Sequence, residues 1–98
     1  MKLLFCKMCA DVRKMDVRSA VTCRCGAVKG RYLPDGRSAI VAGDNAEVLG
    51  LDNMELARAV QMKIPERAEY GPKIHAFLFG RASTRVERVG WDDGRFTQ

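Results

Sequence analysis

The sequence predicts a small α+β domain, with two cysteine turns at its amino-terminal end followed by a mainly antiparallel sheet and one helix. Three observations carry that expectation. Cys6-x2-Cys9 and Cys23-x-Cys25 are two close cysteine pairs, each at the end of an apolar run. Short apolar runs separated by Gly, Pro, Asn and Asp recur along the chain, which is the pattern of strands and turns. Only the stretch from Asp52 to Lys63 carries helical spacing behind a capping residue.

Leu3-Leu4-Phe5 reads as a strand leading into Cys6, and Val17 to Thr22 as a second leading into Cys23. Ala10 to Asp16 has no clear period and is expected to be a loop or irregular arm, with Val12 and Met15 as its core contacts. Ala27–Leu33 and Arg37–Ala42 flank Pro34-Asp35-Gly36, where proline fixes φ and glycine accepts positive φ, so the two runs are expected to pair as a hairpin. Tyr32, Ile40 and Val41 supply its packing side chains. After Gly43-Asp44-Asn45 comes a strand from Glu47 to Leu51, and the spacing suggests a meander.

Asp52 is placed as a helix N-cap, with Glu55 at the capping-box position and Leu51 and Leu56 as a hydrophobic staple. Leu56, Ala59, Val60 and Lys63 keep helical spacing for about three turns, until Ile64-Pro65 ends the pattern. Ile74-His75-Ala76-Phe77-Leu78-Phe79 is the most apolar run and reads as a central strand, with Arg85–Val89 as its neighbour. The Asp93-Gly94 pair is expected to close a last hairpin.

A chain of 98 residues fits one domain, with residues 1–33 as its zinc-binding part and 34–98 as its sheet and helix part. A core of that size is modest, so a metal clip is useful to it before any function is considered. The first residues hold too short an apolar run for an export signal, and no apolar stretch is long enough for a membrane span. The expected location is the cytoplasm, where thiols stay reduced and paired cysteines favour metal over disulfide.

The four thiolates of Cys6, Cys9, Cys23 and Cys25 suit one closed tetrahedral zinc site, and the same donors can hold iron. Zinc, one ion per chain, is the expected cofactor. A catalytic zinc keeps a position open for water, whereas four cysteines fill the shell, so the role expected is structural. Gly26 follows the second pair and suits a tight turn around sulfur; Ala10 stands at the matching place after the first.

Net charge is +5, and residues 1–37 hold nine Lys/Arg against three Asp/Glu. Arg24, Lys29, Arg31 and Arg37 surround the second cysteine turn and its hairpin and form the candidate surface for an anion or nucleic acid; a solvated face that offsets thiolate charge is the simpler account. Lys29 and Arg31 are expected on one side of a strand, and Tyr32 is available to stack on a base only if that strand is an edge. His75 is expected to be an ordinary, partly buried histidine, and Asp92-Asp93 a turn. No phosphate-binding glycine motif and no nucleophile motif occurs, so the expected role is non-enzymatic.

Cys6-x2-Cys9, Cys23-Arg24-Cys25-Gly26 and Gly30-Arg31-Tyr32 resemble a group of small, largely uncharacterised bacterial and phage-associated proteins with a zinc-ribbon-like start. Gly50-Leu51-Asp52-Asn53 and the run from Ile74 to Thr84 are similar to later segments of that group, although Ala82-Ser83-Thr84 stands where a Cys-Pro-Thr is frequent. The resemblance implies a zinc site and a phage or prophage origin. The function expected on these grounds is a zinc-stabilised binding module for nucleic acid or a protein partner. Capture of a small anionic ligand such as a nucleotide signal, or inhibition of a host protein, is the alternative.

Overall fold

The computed structural model describes residues 1–98 as eight strands, one α-helix and a terminal 3-10 turn. The strands are β1 (Lys2–Cys6), β2 (Val12–Lys14), β3 (Val21–Thr22), β4 (Lys29–Tyr32), β5 (Ala39–Ala42), β6 (Ala46–Leu51), β7 (Ala76–Leu78) and β8 (Val86–Arg88). Helix α1 (Asn53–Gln61) lies between β6 and β7. The α+β class is as expected, but the strands form two four-stranded sheets, ordered β2-β1-β6-β7 and β3-β4-β5-β8.

The two inner strands of the first sheet alternate strictly. In β1, Lys2, Leu4 and Cys6 are buried while Leu3 and Phe5 are half-buried, and in β6 the buried set is Ala46, Val48 and Gly50. The antiparallel register sets Leu4 beside Val48 and Cys6 beside Ala46, so both strands turn one apolar face the same way. That face meets Val28, Ala39, Val41 and Val86 of the second sheet and its loops, with Met15 filling the space between. Strand β5 is buried on both sides: Ala39 and Val41 join this core, while Ile40 and Ala42 pack with Phe96 from the carboxy-terminal turn.

The ends of the sandwich are closed differently. At one end lie the cysteines. At the other, the Lys2 amide donates to the Tyr32 hydroxyl at 2.6 Å, and the Lys2 ammonium donates to the Arg37 carbonyl while lying 5.7 Å and 5.2 Å from the centroids of the Tyr32 and Phe79 rings. A lysine on the inner face is tolerated because its charge reaches a carbonyl and two aromatic faces.

Several expectations need correction. The hairpin around Pro34-Asp35-Gly36 is present, closed by Gly36 N–H on the Leu33 carbonyl, and Asp35 accepts from the Arg37 and Ser38 amides. There is no meander beyond it, because β6 leaves β5 at Gly43 and pairs with β1 in the other sheet. Residues 10–16 contain strand β2, in which Val12 is exposed, and the expected strand from Val17 is reduced to Val21–Thr22. The Arg85–Val89 strand, β8, runs parallel to β5 and does not touch β7. No terminal hairpin forms, since Asp93 accepts from the Arg95 amide and starts the 3-10 turn.

The largest correction concerns Ile74–Phe79. It is an edge strand, β7, and all three of its residues are exposed. The fully buried strand is β5, whose two apolar faces are covered by the first sheet and by Phe96. Helix α1 is likewise without a buried residue. Asp52 caps it as expected, accepting from the Met54 and Glu55 amides, but Glu55 turns its carboxylate to the backbone and ring of His75 and not to its own N-cap.

Candidate metal centre

Each cysteine pair sits where a strand ends. Cys6 is the last residue of β1 in the first sheet and Cys23 follows β3 in the second, so the two pairs come from opposite layers. In the first turn the Ala10 N–H returns to the Cys6 carbonyl at 2.8 Å, and in the second the Gly26 N–H returns to the Cys23 carbonyl at 3.0 Å. Both turns therefore close through the residue after the second cysteine, and C-x-C is the same device shortened by one residue. Gly26 has φ +79 and Ala10 has φ +58, the left-handed region that an L side chain resists.

Ala10→Gly is accordingly expected to stabilise the metal-loaded protein by about 0.5–1 kcal/mol, the relief of left-handed strain less the entropy of a new glycine. A urea unfolding midpoint lower than that of the parent chain would contradict it.

All four Sγ atoms lie within 4.8 Å of one another, with Cys23 to Cys25 at 3.5 Å and Cys6 to Cys25 at 3.7 Å. Sulfurs placed about 2.3 Å from a central ion in a tetrahedron are separated by about 3.8 Å, so the cluster has the dimensions of a four-thiolate shell. None of the four forms a disulfide. Cys6 and Cys23 are buried, Cys9 is half-buried and Cys25 is exposed, so the shell opens to solvent on one side only.

The electrostatics point the same way. The Cys25 amide, and after it the Asp11 amide, hold the Cys9 thiol below its usual range. Burial opposes ionisation of Cys23, but the Val28 amide and the sulfurs of Cys25 and Cys6 outweigh it and bring the thiol down to about 6. At Cys25 the Ala27 amide pulls downward, while burial and the three neighbouring sulfurs push the thiol up to about 12. Sulfurs this close share their charge unevenly until a cation joins them, and a dication is what such a donor set accommodates.

Asp11 is the contributor that the sequence reading missed. Its carboxylate accepts from Arg13 Nε at 2.7 Å and from the Arg24 amide at 2.8 Å, tying the loop after the first cysteine turn to the residue between Cys23 and Cys25. The only signal available beforehand was an acidic residue two places after Cys9.

The four basic residues singled out near the second turn are not brought together. Arg24 sits on the cysteine cluster and donates through Nη2 to the Cys9 carbonyl at 3.2 Å. Lys29 and Arg31 do share a side of β4, as expected, but both are engaged by the carboxy-terminal segment. The Lys29 ammonium lies 4.5 Å from the ring centroids of Trp91 and of Phe96, and Arg31 donates to the carbonyls of Val17, Arg18 and Arg95. Arg37 stands at the far hairpin turn. Strand β4 is interior, between β3 and β5, so the condition for Tyr32 to stack on a base is not met.

His75 is exposed, not partly buried as expected, and its Nδ1 lies 2.9 Å from the Glu55 carboxylate. A cleft of about 460 Å³ lies elsewhere, lined by Lys14, Asp16, Arg18, Tyr32 and Asn53 among others.

Comparison of the chain with protein-family models, with curated proteins and with solved structures finds no match. What the chain does have is a small α+β domain with a cysteine cluster able to hold a metal ion, and no helix long and apolar enough to cross a membrane.

Proposed function

We propose that this chain is a non-enzymatic binding module whose two sheets are stapled together by one structural zinc ion. The observation that carries the reading is the closed set of four sulfurs drawn from the ends of strands in both sheets. Such a shell has no vacant ligand position for water or substrate, so its work is to hold β1 to β3 and to fix the loops around them. The partner is nucleic acid or protein. A phage or prophage accessory role belongs to this reading through the family resemblance alone, and a cytoplasmic location through the short apolar run at the amino terminus and the paired cysteines.

A second reading is favoured by the cleft beside Tyr32. It has the volume of a small-ligand site, and Lys14 and Arg18 supply cations at its wall, although Arg18 is already bonded to Asp16 at 3.0 Å. Capture of a small anionic ligand there, or inhibition of a host protein, is the form that reading takes.

Native mass spectrometry of protein purified from cells, before and after a strong chelator, tests both. One zinc per chain, lost together with the folded charge-state distribution on chelation, is the result expected. A metal-free chain that keeps its fold would sink the staple, and a retained phosphate- or carboxylate-bearing adduct would move the second reading ahead.

A further inference from the structure

From Asp52 to Arg85 no residue is buried, although this third of the chain contains Leu56, Val60, Met62, Ile64, Tyr70, Ile74, Phe77 and Leu78. Val60 is 76% exposed and Leu78 63%. The molecule is correspondingly drawn out, with a radius of gyration of 15.2 Å where a compact chain of this length has about 13 Å.

At the outer border of this segment is β7, the edge of the first sheet. Phe79 N–H donates to the Val48 carbonyl and Phe77 is in register with Gly50, so alternation turns the backbone groups of Phe77 and Phe79 to β6 and those of Ala76 and Leu78 to solvent. Edge strands are ordinarily protected by being short, by a charge, by a proline or by a bulge, and of these Ala76-Phe77-Leu78 has only its shortness.

The unpaired charges of this segment limit what covers the edge. Arg58, Lys63, Arg67, Lys73 and Arg85 have no ion-pair partner, while the free carboxylates of the segment are Glu66 and Glu69. A second copy pairing antiparallel about Phe77 would set Lys73 against Arg81 of its partner, like against like. Nucleic acid suits the cations but leaves the aliphatic side chains without a counterpart. One side of the Phe77 ring is also taken up, lying against Gly50 and 5.0 Å from the Phe79 ring.

We infer that β7 is a docking edge for an extended segment of another protein, one whose apolar residues are flanked by carboxylates. The segment adds as a fifth strand outside β7. Its main chain takes the free N–H and C=O groups of Ala76 and Leu78, its apolar side chains cover Leu78 and the exposed side of α1, and its acidic ends face Lys73 and Arg81, which stand three residues before and after the strand. The inference rests on the binding-module reading and names the partner class within it.

The test uses the full chain and a short fluorescent peptide of alternating valine and threonine with glutamates at both ends, followed by anisotropy. A control peptide has lysines in their place, and a second has every backbone amide methylated. The acidic peptide is expected to bind about tenfold more tightly than the basic one, and methylation is expected to abolish binding. Leu78→Pro removes an outward N–H without touching the β6 pairing and is expected to abolish binding with zinc content unchanged. Lys73→Glu combined with Arg81→Glu is expected to invert the preference.

No binding, equal binding of the acidic and basic peptides, or undiminished binding by Leu78→Pro overturns the inference. So does displacement of the peptide by an oligonucleotide, or a dimer in solution that Leu78→Pro dissolves. Metal content measured on the same samples keeps the two readings apart: peptide failure with one zinc per chain sinks this inference alone, and peptide binding without metal sinks the staple alone.

Discussion

Cys23→Ser is expected to remove tight zinc binding and to leave the chain largely unfolded at room temperature. Structural zinc in cysteine shells of this kind contributes on the order of 10 kcal/mol of coupled binding and folding energy, which is comparable with the whole stability of a small domain. Cys23, like Cys6, is an exacting position, because it is buried in the core cluster with Leu4 and Val28 as well as facing the other sulfurs. Serine there loses a soft ligand and buries a hydroxyl. Cys25→Ser, at the exposed rim, is expected to cost less stability while still lowering metal content. The ligands must be deprotonated, so affinity falls as pH falls, and both variants are expected to release metal at higher pH than the parent chain. Circular dichroism melts paired with metal analysis would decide the matter. Full stability with an empty site in Cys23→Ser would contradict a structural role.

Gly43→Ala is the second change expected to have a large effect, and it acts without touching a ligand. Gly43 has φ +106, and a Cβ built there falls 2.3 Å from the Ala27 carbonyl oxygen and 3.1 Å from Val28 Cα. Both obstacles belong to the backbone just after the second cysteine turn, and the Ala27 amide faces the sulfurs of Cys23 and Cys25. Left-handed strain alone costs about 1–3 kcal/mol, and a backbone displacement adds to it, so a loss of about 3 kcal/mol or more is expected together with weaker zinc retention. Gly36→Ala is the control: it also has positive φ, but nothing lies within 4 Å of its Cβ. If the two substitutions shifted the denaturant midpoint equally, the contact with Ala27 would carry no weight.

How much of this was legible in the sequence depended on how local the signal is. The cysteine spacing, the Pro34-Asp35-Gly36 turn and the Asp52 cap each act over a few residues, and each is where it was read. Pairings between distant strands left no such mark. That β6 goes to β1, and β8 lies parallel to β5, is decided by which apolar faces fit together once the chain has turned at Gly43. The run from Ile74 to Phe79 shows a different limit. Apolar content marks a segment as needing cover but does not say whether the cover comes from the same molecule, and here β5 took the interior place. For the basic residues, sequence proximity to the cysteines suggested a surface, while Lys29 and Arg31 were already committed to aromatic rings and carbonyls from the distant carboxy-terminal segment.

The position of β1 also bears on the order in which the chain can assemble. It precedes every other strand of this fold in the chain, yet it lies inside its sheet and has no β6 partner until residues 46–51 have been made. The sulfurs are complete much earlier, at Cys25. A clip between Cys6 and Cys25 roughly halves the loop still to be closed, and halving a loop is worth only about 0.6 kcal/mol in chain entropy. Shortening the search is therefore a minor benefit of the metal. A metal bound there during synthesis would do more by keeping one end of an apolar strand anchored and oriented while the strand waits for its neighbour.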